Sequence, residues 1–237
     1  MLLFAGPDEA LADAAGRAAV RRIVEAAWAG GATPIVVVCA DADGGVAAAL
    51  AGSPAVLAEP APAEAGPVGQ IMRGINIAAE RVTETDAALV WPGPMAWVDA
   101  ETVTSLIERH GVDRDVPLRP KYGDETGWPA LVPMEVVDSL AALPTELTAT
   151  EALEQLALRH GIALVDTGDP GTVHDIGVAM DALPQQLGPV CRHRSTRPHR
   201  RPARRERAPG PPADPRRRHR RRSRPIRAPP EPALVLR

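Results

Sequence analysis

Short, wholly apolar runs alternate along this chain with segments whose apolar positions recur every three to four residues. Met1–Ala5 is an apolar run closed by Gly6, which predicts a buried first strand. Val20, Ile23, Val24, Ala27 and Trp28 fall on one face of a helix that Gly30-Gly31 ends. Pro34–Cys39 is apolar at every position, the pattern of a strand covered on both faces in a parallel sheet. A weak helix is expected over Asp43–Leu50 and a short strand over Ala55–Ala58. Val68–Val82 repeats the helical period, with Ile71, Ile75 and Ala78 or Ala79 inward, and Asp86–Trp91 is a further apolar strand. Asp99 is placed to cap a helix carrying Val103, Leu106 and Ile107, closed by His110-Gly111.

The second half is less regular. Leu118–Arg119 and Pro129–Val132 read as strands around the turn Lys121-Tyr122-Gly123-Asp124, and Pro133 suits the first position of a short helix. Thr148 and Glu151 form a capping box for a helix running to His160, and Ile162–Val165 reads as the last strand. Strands rich in Val and Ile that alternate with amphipathic helices indicate a single α/β domain over residues 1–186, three-layered and Rossmann-like, with a mainly parallel sheet. Ligands of such sheets bind at the carboxyl ends of the strands. Here those ends are Gly6, the loop after Cys39, the loop Glu59–Gly69 and the loop Pro92–Val98.

Charge divides the chain where the periodicity stops. Of 237 residues, the last 46, from Arg192, hold 17 arginines and three acids, whereas residues 1–191 hold 10 basic and 27 acidic side chains. The formal net charge of −3 therefore describes neither part. Residues 187–237 are rich in Arg and Pro and cannot bury enough apolar area to offset their ordering entropy, so they are expected to be disordered. Two readings of that tail stand. It is a basic arm for nucleic acid or an anionic surface, or it is a frameshift product, since Arg, Pro, Ala and Gly are what GC-rich codons give out of frame. Two cysteines, Cys39 and Cys191, make no disulfide framework, and no apolar run approaches a membrane span. A cytoplasmic protein is the expectation. P-loop, Gly-x-Gly-x-x-Gly, His-Glu-x-x-His and Cys-x-x-Cys motifs are all missing from the sequence.

A series of segments in order gives the chain its resemblance. These are Leu2-Leu3-Phe4-Ala5-Gly6, Ala29-Gly30-Gly31, Gly66-Pro67-Val68-Gly69-Gln70 leading to Gly74-Ile75, Trp97-Val98-Asp99, Gly127-Trp128-Pro129-Ala130-Leu131 and His174-Asp175-Ile176. Over about residues 1–183 the sequence resembles the MobA/MocA-like nucleotidyltransferases, with their glycosyltransferase-A-type fold. The resemblance implies transfer of a nucleotidyl group from a nucleoside triphosphate to a phosphate-bearing acceptor, commonly molybdopterin, with Mg²⁺. It implies nucleotide contacts at Leu3, Ala5, Gly6, Gly69 and Gln70, and a metal contact at Asp175.

The chain departs from that pattern where charge matters. The family's first loop carries an Arg and a Lys that embrace the triphosphate. Here the segment after Gly6 holds Asp8, Glu9 and Asp13, which repel phosphate. Arg17, Arg21 and Arg22 follow, either as an anion grip or as a solvated helix face. Where the family has a metal-binding Asp-x-Pro, this chain has Pro94-Met95-Ala96, and Gly177 replaces the companion of Asp175. Trp91, Trp97 and Trp128 offer either an aromatic wall for a planar ligand or ordinary packing. His174 is a ligand for a softer metal or a packing residue. Two functions are thus expected from the sequence: an active nucleotidyltransferase, or a catalytically silent member of the same fold that binds a nucleotide or a partner.

Overall fold

The computed structural model describes residues 1–187. In chain order the elements are β1 (Leu2–Phe4), α1 (Pro7–Leu11), α2 (Ala19–Ala29), β2 (Ile35–Val38), α3 (Gly45–Leu50), β3 (Ala55–Ala58), α4 (Gly66–Arg81), β4 (Ala87–Pro92), α5 (Ala100–His110), β5 (Leu118–Tyr122), β6 (Glu125–Thr126), β7 (Ala130–Pro133), α6 (Val137–Ala141), α7 (Ala149–His160) and β8 (Ala163–Asp166). The Arg/Pro-rich tail, with its expected disorder and its nucleic-acid reading, falls outside the described residues from residue 188 on, as does Cys191.

The strands form one sheet in the order β3-β2-β1-β4-β7-β5-β6, with β8 beside β5. β3, β2, β1 and β4 run parallel, β7 is antiparallel to β4 and β5, and β8 is parallel to β5. The chain therefore steps from β1 outward to β2 and β3, then returns to place β4 on the other side of β1. That reversal opens a crevice at the carboxyl ends of β1 and β4.

Strand alternation divides the core in two. Ile35, Val37, Leu89 and Trp91 point to one face of the sheet, where α2 and α5 bring Val20, Ile23, Val24, Ala27, Val103 and Leu106. Val36, Val38, Ala88 and Val90 point to the other, onto Ile71, Ile75 and Ala78 of α4, Leu140 of α6, and Leu153 and Leu156 of α7. This is the three-layer α/β arrangement that the unbroken Ile-Val-Val-Val run of β2 requires, because all four of its residues are buried. Cys39 is buried beside the first core and acts as a small apolar residue.

Several details differ from the sequence reading. Trp28 is 55 % exposed and Ile107 is 38 % exposed. Each lies at the edge of its helix's apolar stripe, where the 100° step per residue turns it toward solvent. Pro133 ends β7 and precedes a single 3₁₀ turn, Met134–Val136, before α6 begins. The segment after Gly6 is not an open loop: it folds as α1, in which Glu9 closes back on the Gly6 N–H.

The cap of α5 is the largest departure. Asp99 occupies the N-cap position, but its side chain makes no capping bond. Asp169, 3 % exposed, supplies the acceptor instead: its Oδ2 takes the Asp99 N–H at 2.9 Å and the Thr102 hydroxyl at 2.8 Å, and its Oδ1 takes the Gly171 N–H at 2.8 Å. Burial, with the Asp169 charge behind it, raises the Asp99 carboxyl above the ordinary carboxylate range. Asp169→Ala would strand three donors, two of them in buried bonds, and a loss of about 2–3 kcal/mol is expected from their desolvation. Urea denaturation of the two proteins measures it, and an unchanged midpoint would refute the assignment.

Candidate functional site

A cavity of about 840 Å³ occupies the crevice between β1 and β4. Ala5 and Gly6 after β1, Val38 at the end of β2, and Pro92, Pro94 and Met95 after β4 form its floor. One wall is Pro60, Ala63, Gly66, Pro67 and Gln70, from the loop after β3 and the start of α4. The opposite side is Trp128, Thr148, Ala149, Thr150 and Asp175. The two walls are drawn together at Gly66, which has φ +60° and whose missing Cβ would lie 1.8 Å from the carbonyl oxygen of Thr145. Only glycine lets the backbones approach this closely.

Three of the five residues expected at the nucleotide, Ala5, Gly6 and Gln70, line this cavity. Gly69 is not in the lining; its vacant Cβ position faces Ala65 within the helix turn. Leu3 pairs through its backbone with Val37 and Trp91 in the middle of the sheet. Gln70 uses its amide on the protein itself: Oε1 accepts the Ala61 N–H at 2.8 Å and Nε2 donates to the Ala61 carbonyl at 2.9 Å. Its role here is to pin the loop that forms the wall, leaving one N–H for a ligand.

The lining carries two carboxylates, Glu9 and Asp175, and no lysine or arginine. The base nearest in sequence, Arg73, three residues after Gln70, is exposed and donates Nε–H to the Glu59 carbonyl at 3.4 Å, and the arginines after the first loop are committed elsewhere. Arg17 and Arg21 both pair with Glu25, and Arg21 also donates to the Ala51 carbonyl. These partners hold the Glu25 carboxyl below its ordinary range, chiefly through the Arg21 hydrogen bond. Arg22 braces the sheet end by donating to the Ala96 carbonyl at 3.0 Å and stacking over Trp97 at 5.1 Å. Neither the anion grip nor a purely solvated face describes it. The single lysine, Lys121, pairs with Asp166 at 3.1 Å.

Asp175 is exposed at the rim, and its Oδ1 accepts the Gly177 N–H at 2.8 Å. Among the described residues no three His, Cys, Asp or Glu side chains gather where a metal ion could be held. A hard divalent cation needs several oxygen ligands, so at Asp175 the remaining ligands would have to come from a bound phosphate or water. His174 faces a second cavity next to the first, without a companion set of ligands.

The aromatic wall reduces to one ring. Trp91 is fully buried and donates Nε1–H to the Met95 carbonyl at 2.8 Å. Trp97 is buried and its Nε1–H is shared between the carbonyls of Asp175 and Val178. Both therefore brace loops from inside, and only Trp128 reaches the cavity. Sequence reasoning passed over Arg119, a buried base behind Trp128; its position between the apolar Leu118 and Pro120 was the available signal.

Among the described residues no helix is long and apolar enough to cross a membrane. No curated protein matches the chain. Solved structures share its fold at low identity. A Mycobacterium tuberculosis protein crystallised with manganese, Rv0371c, superposes with a TM-score of 0.52 at 18 % identity, over 70 % of this chain and 85 % of its own. A nucleotidyl transferase from Methanothermobacter thermautotrophicus gives 0.54 at 16 % identity, over 70 % and 87 %. The 2-C-methyl-D-erythritol 4-phosphate cytidylyltransferase of Thermus thermophilus gives 0.54 at 16 %, over 74 % and 91 %. The family model of the MobA-like NTP transferase domain matches residues 4–161, which span β1 to α7 and with them most of the cavity. This chain belongs to the MobA-like NTP transferase domain family.

Proposed function

We propose that the cavity between β1 and β4 receives a nucleoside triphosphate, and that the reaction is transfer of its nucleotidyl group to a phosphate-bearing acceptor of the molybdopterin kind. The observation that supports this reading is one of position. A cavity of about 840 Å³, ample for a nucleotide, lies at the sheet's point of strand reversal and inside the family-matched segment. Mg²⁺ enters as the counterion of the triphosphate rather than as a metal held by the protein alone. No membrane span is needed, and a cytoplasmic setting suits a soluble nucleotide.

A second reading is favoured by the charge of the lining. Glu9 and Asp175 face the space where a triphosphate would lie, and no base answers them. Like charges in a partly desolvated cleft oppose a polyphosphate. On this reading the protein binds the nucleoside part of its ligand and does not turn it over. Isothermal titration with CTP, GTP and ATP, with and without Mg²⁺, together with a pyrophosphate assay, separates the two. Binding strengthened by Mg²⁺, with pyrophosphate released when acceptor is added, is the expected result for the transferase. Binding without release supports the silent form, and no binding of any nucleotide overturns both.

Glu9→Gln gives a further check on the charge argument. Removing one facing carboxylate is expected to tighten triphosphate binding by about two- to fivefold, the range for a partly screened pair of charges. Unchanged affinity in calorimetry would show that Glu9 does not face the phosphates.

A further inference from the structure

Arg119 is the one base among the described residues that is buried without an ion pair. It is 7 % exposed, in the second position of β5, and takes no part in the salt bridges, which use Arg17, Arg21, Arg109 and Lys121. Its Nε–H donates to the Gly127 carbonyl at 2.8 Å, and its guanidinium lies over the Trp128 ring at 4.7 Å. A guanidinium has five N–H donors, so four remain, on Nη1 and Nη2. Among the described residues they make no hydrogen bond. Arg119 lines a second cavity of about 440 Å³; its Nη atoms are not among the buried unpaired polar atoms, so they open onto that space.

We infer that Arg119 is an oxyanion-binding residue, and that this second cavity holds the anionic end of the acceptor. A carboxylate or phosphate presents two oxygens at the spacing of the guanidinium fork, which supplies the missing acceptors. The stacked Trp128 and the Gly127 carbonyl fix the fork, so little freedom is lost on binding. The location suits an acceptor: Met95, Trp128, Thr150 and Asp175 line both cavities, so a ligand in the second lies alongside one in the first. That part of the inference rests on the nucleotide reading of the first cavity.

The surroundings restrict the charge of the anion. Glu125, Glu154, His174 and Asp175 also line the second cavity. Burial lowers the Arg119 pKa, and the Glu154 charge opposes that shift, though no carboxylate closes to ion-pair distance. A singly charged oxyanion is therefore favoured over a doubly charged one.

The test is an NMR titration of the full chain with sodium phosphate or sodium acetate, with sodium chloride at matched ionic strength as control. Saturable movement of the Arg119 Nε–H and Trp128 indole signals is expected with phosphate, acetate or both, and not with chloride. Arg119→Met is expected to abolish it while CTP, GTP and ATP affinities stay within about twofold. Glu154→Gln is expected to tighten it by about two- to fivefold. That variant, with Arg119→Lys, keeps the test open should the methionine protein fail to fold. Tighter phosphate identifies a phosphate-bearing acceptor and tighter acetate a carboxylate-bearing one. No saturable response in wild type and Glu154→Gln, or the same response in Arg119→Met, overturns the subsite. Loss of nucleotide binding with the anion response intact overturns the nucleotide reading alone.

Discussion

Replacing Gly66 with alanine is expected to lower stability by about 3–5 kcal/mol and to abolish ligand binding in the cavity between β1 and β4. Two costs combine. A φ of +60° with ψ near −170° is a conformation that only glycine adopts freely, worth about 1–3 kcal/mol to any other residue. The added Cβ would also sit 1.8 Å from the Thr145 carbonyl oxygen, so the start of α4 must separate from the segment leading to α7. Overpacking of this kind costs about 1–3 kcal/mol more. Gly52, at φ +73° with nothing within 4 Å of its vacant position, is a comparison: its alanine variant carries a positive-φ cost with no added contact. Urea denaturation of the two variants is expected to show the larger loss at Gly66. Equal losses in both would show that the approach of Gly66 to Thr145 has no energetic weight.

The second large effect is at Trp91. Its indole is fully buried among the residues beneath α2 and α5, so Trp91→Ala is expected to cost about 3–5 kcal/mol through lost burial and the void left behind. Trp91→Phe divides that loss. The ring is largely retained, but the Met95 carbonyl loses its only indole donor, at about 1 kcal/mol. Met95 lines both cavities, so the phenylalanine variant is expected to weaken ligand binding out of proportion to its small stability loss. Calorimetry alongside denaturation separates the two effects, and a phenylalanine variant with wild-type affinity would refute the link from Trp91 to the floor of the site.

The framework was legible because its signals are local. The Ile-Val-Val-Val run of β2 is apolar at all four positions because both faces are covered. The Thr148–Glu151 capping box formed as its spacing required, with the Thr148 N–H 2.8 Å from Glu151 Oε2. The departures from the family pattern were legible too, since a missing base or carboxylate is a matter of residue identity. What escaped was the assignment of side chains between distant segments. Asp99 carries the composition of an N-cap, yet the acceptor comes from Asp169, and nothing in the spacing of the two records that. Gln70 lines the cavity, but most of its amide's bonding goes to Ala61, nine residues back, which nothing local records. Three tryptophans near strand ends suggested a wall, but indole N–H groups turned two of them inward to loop carbonyls. Arg119 was hidden for another reason: in Leu-Arg-Pro-Lys-Tyr its neighbour Lys121 is half-exposed and paired with Asp166, and nothing local tells the buried base from the outer one.

The link between α5 and Asp169 also bears on where this protein can be cut. The family-matched segment ends at residue 161, before β8, before the carboxylate that caps α5, and before the carbonyls that receive the Trp97 indole. A polypeptide released at that point would leave the start of α5 uncapped and β5 with an unpaired edge. A truncation meant to keep α5 capped has accordingly to extend past residue 171, beyond the stretch by which relatives are recognised.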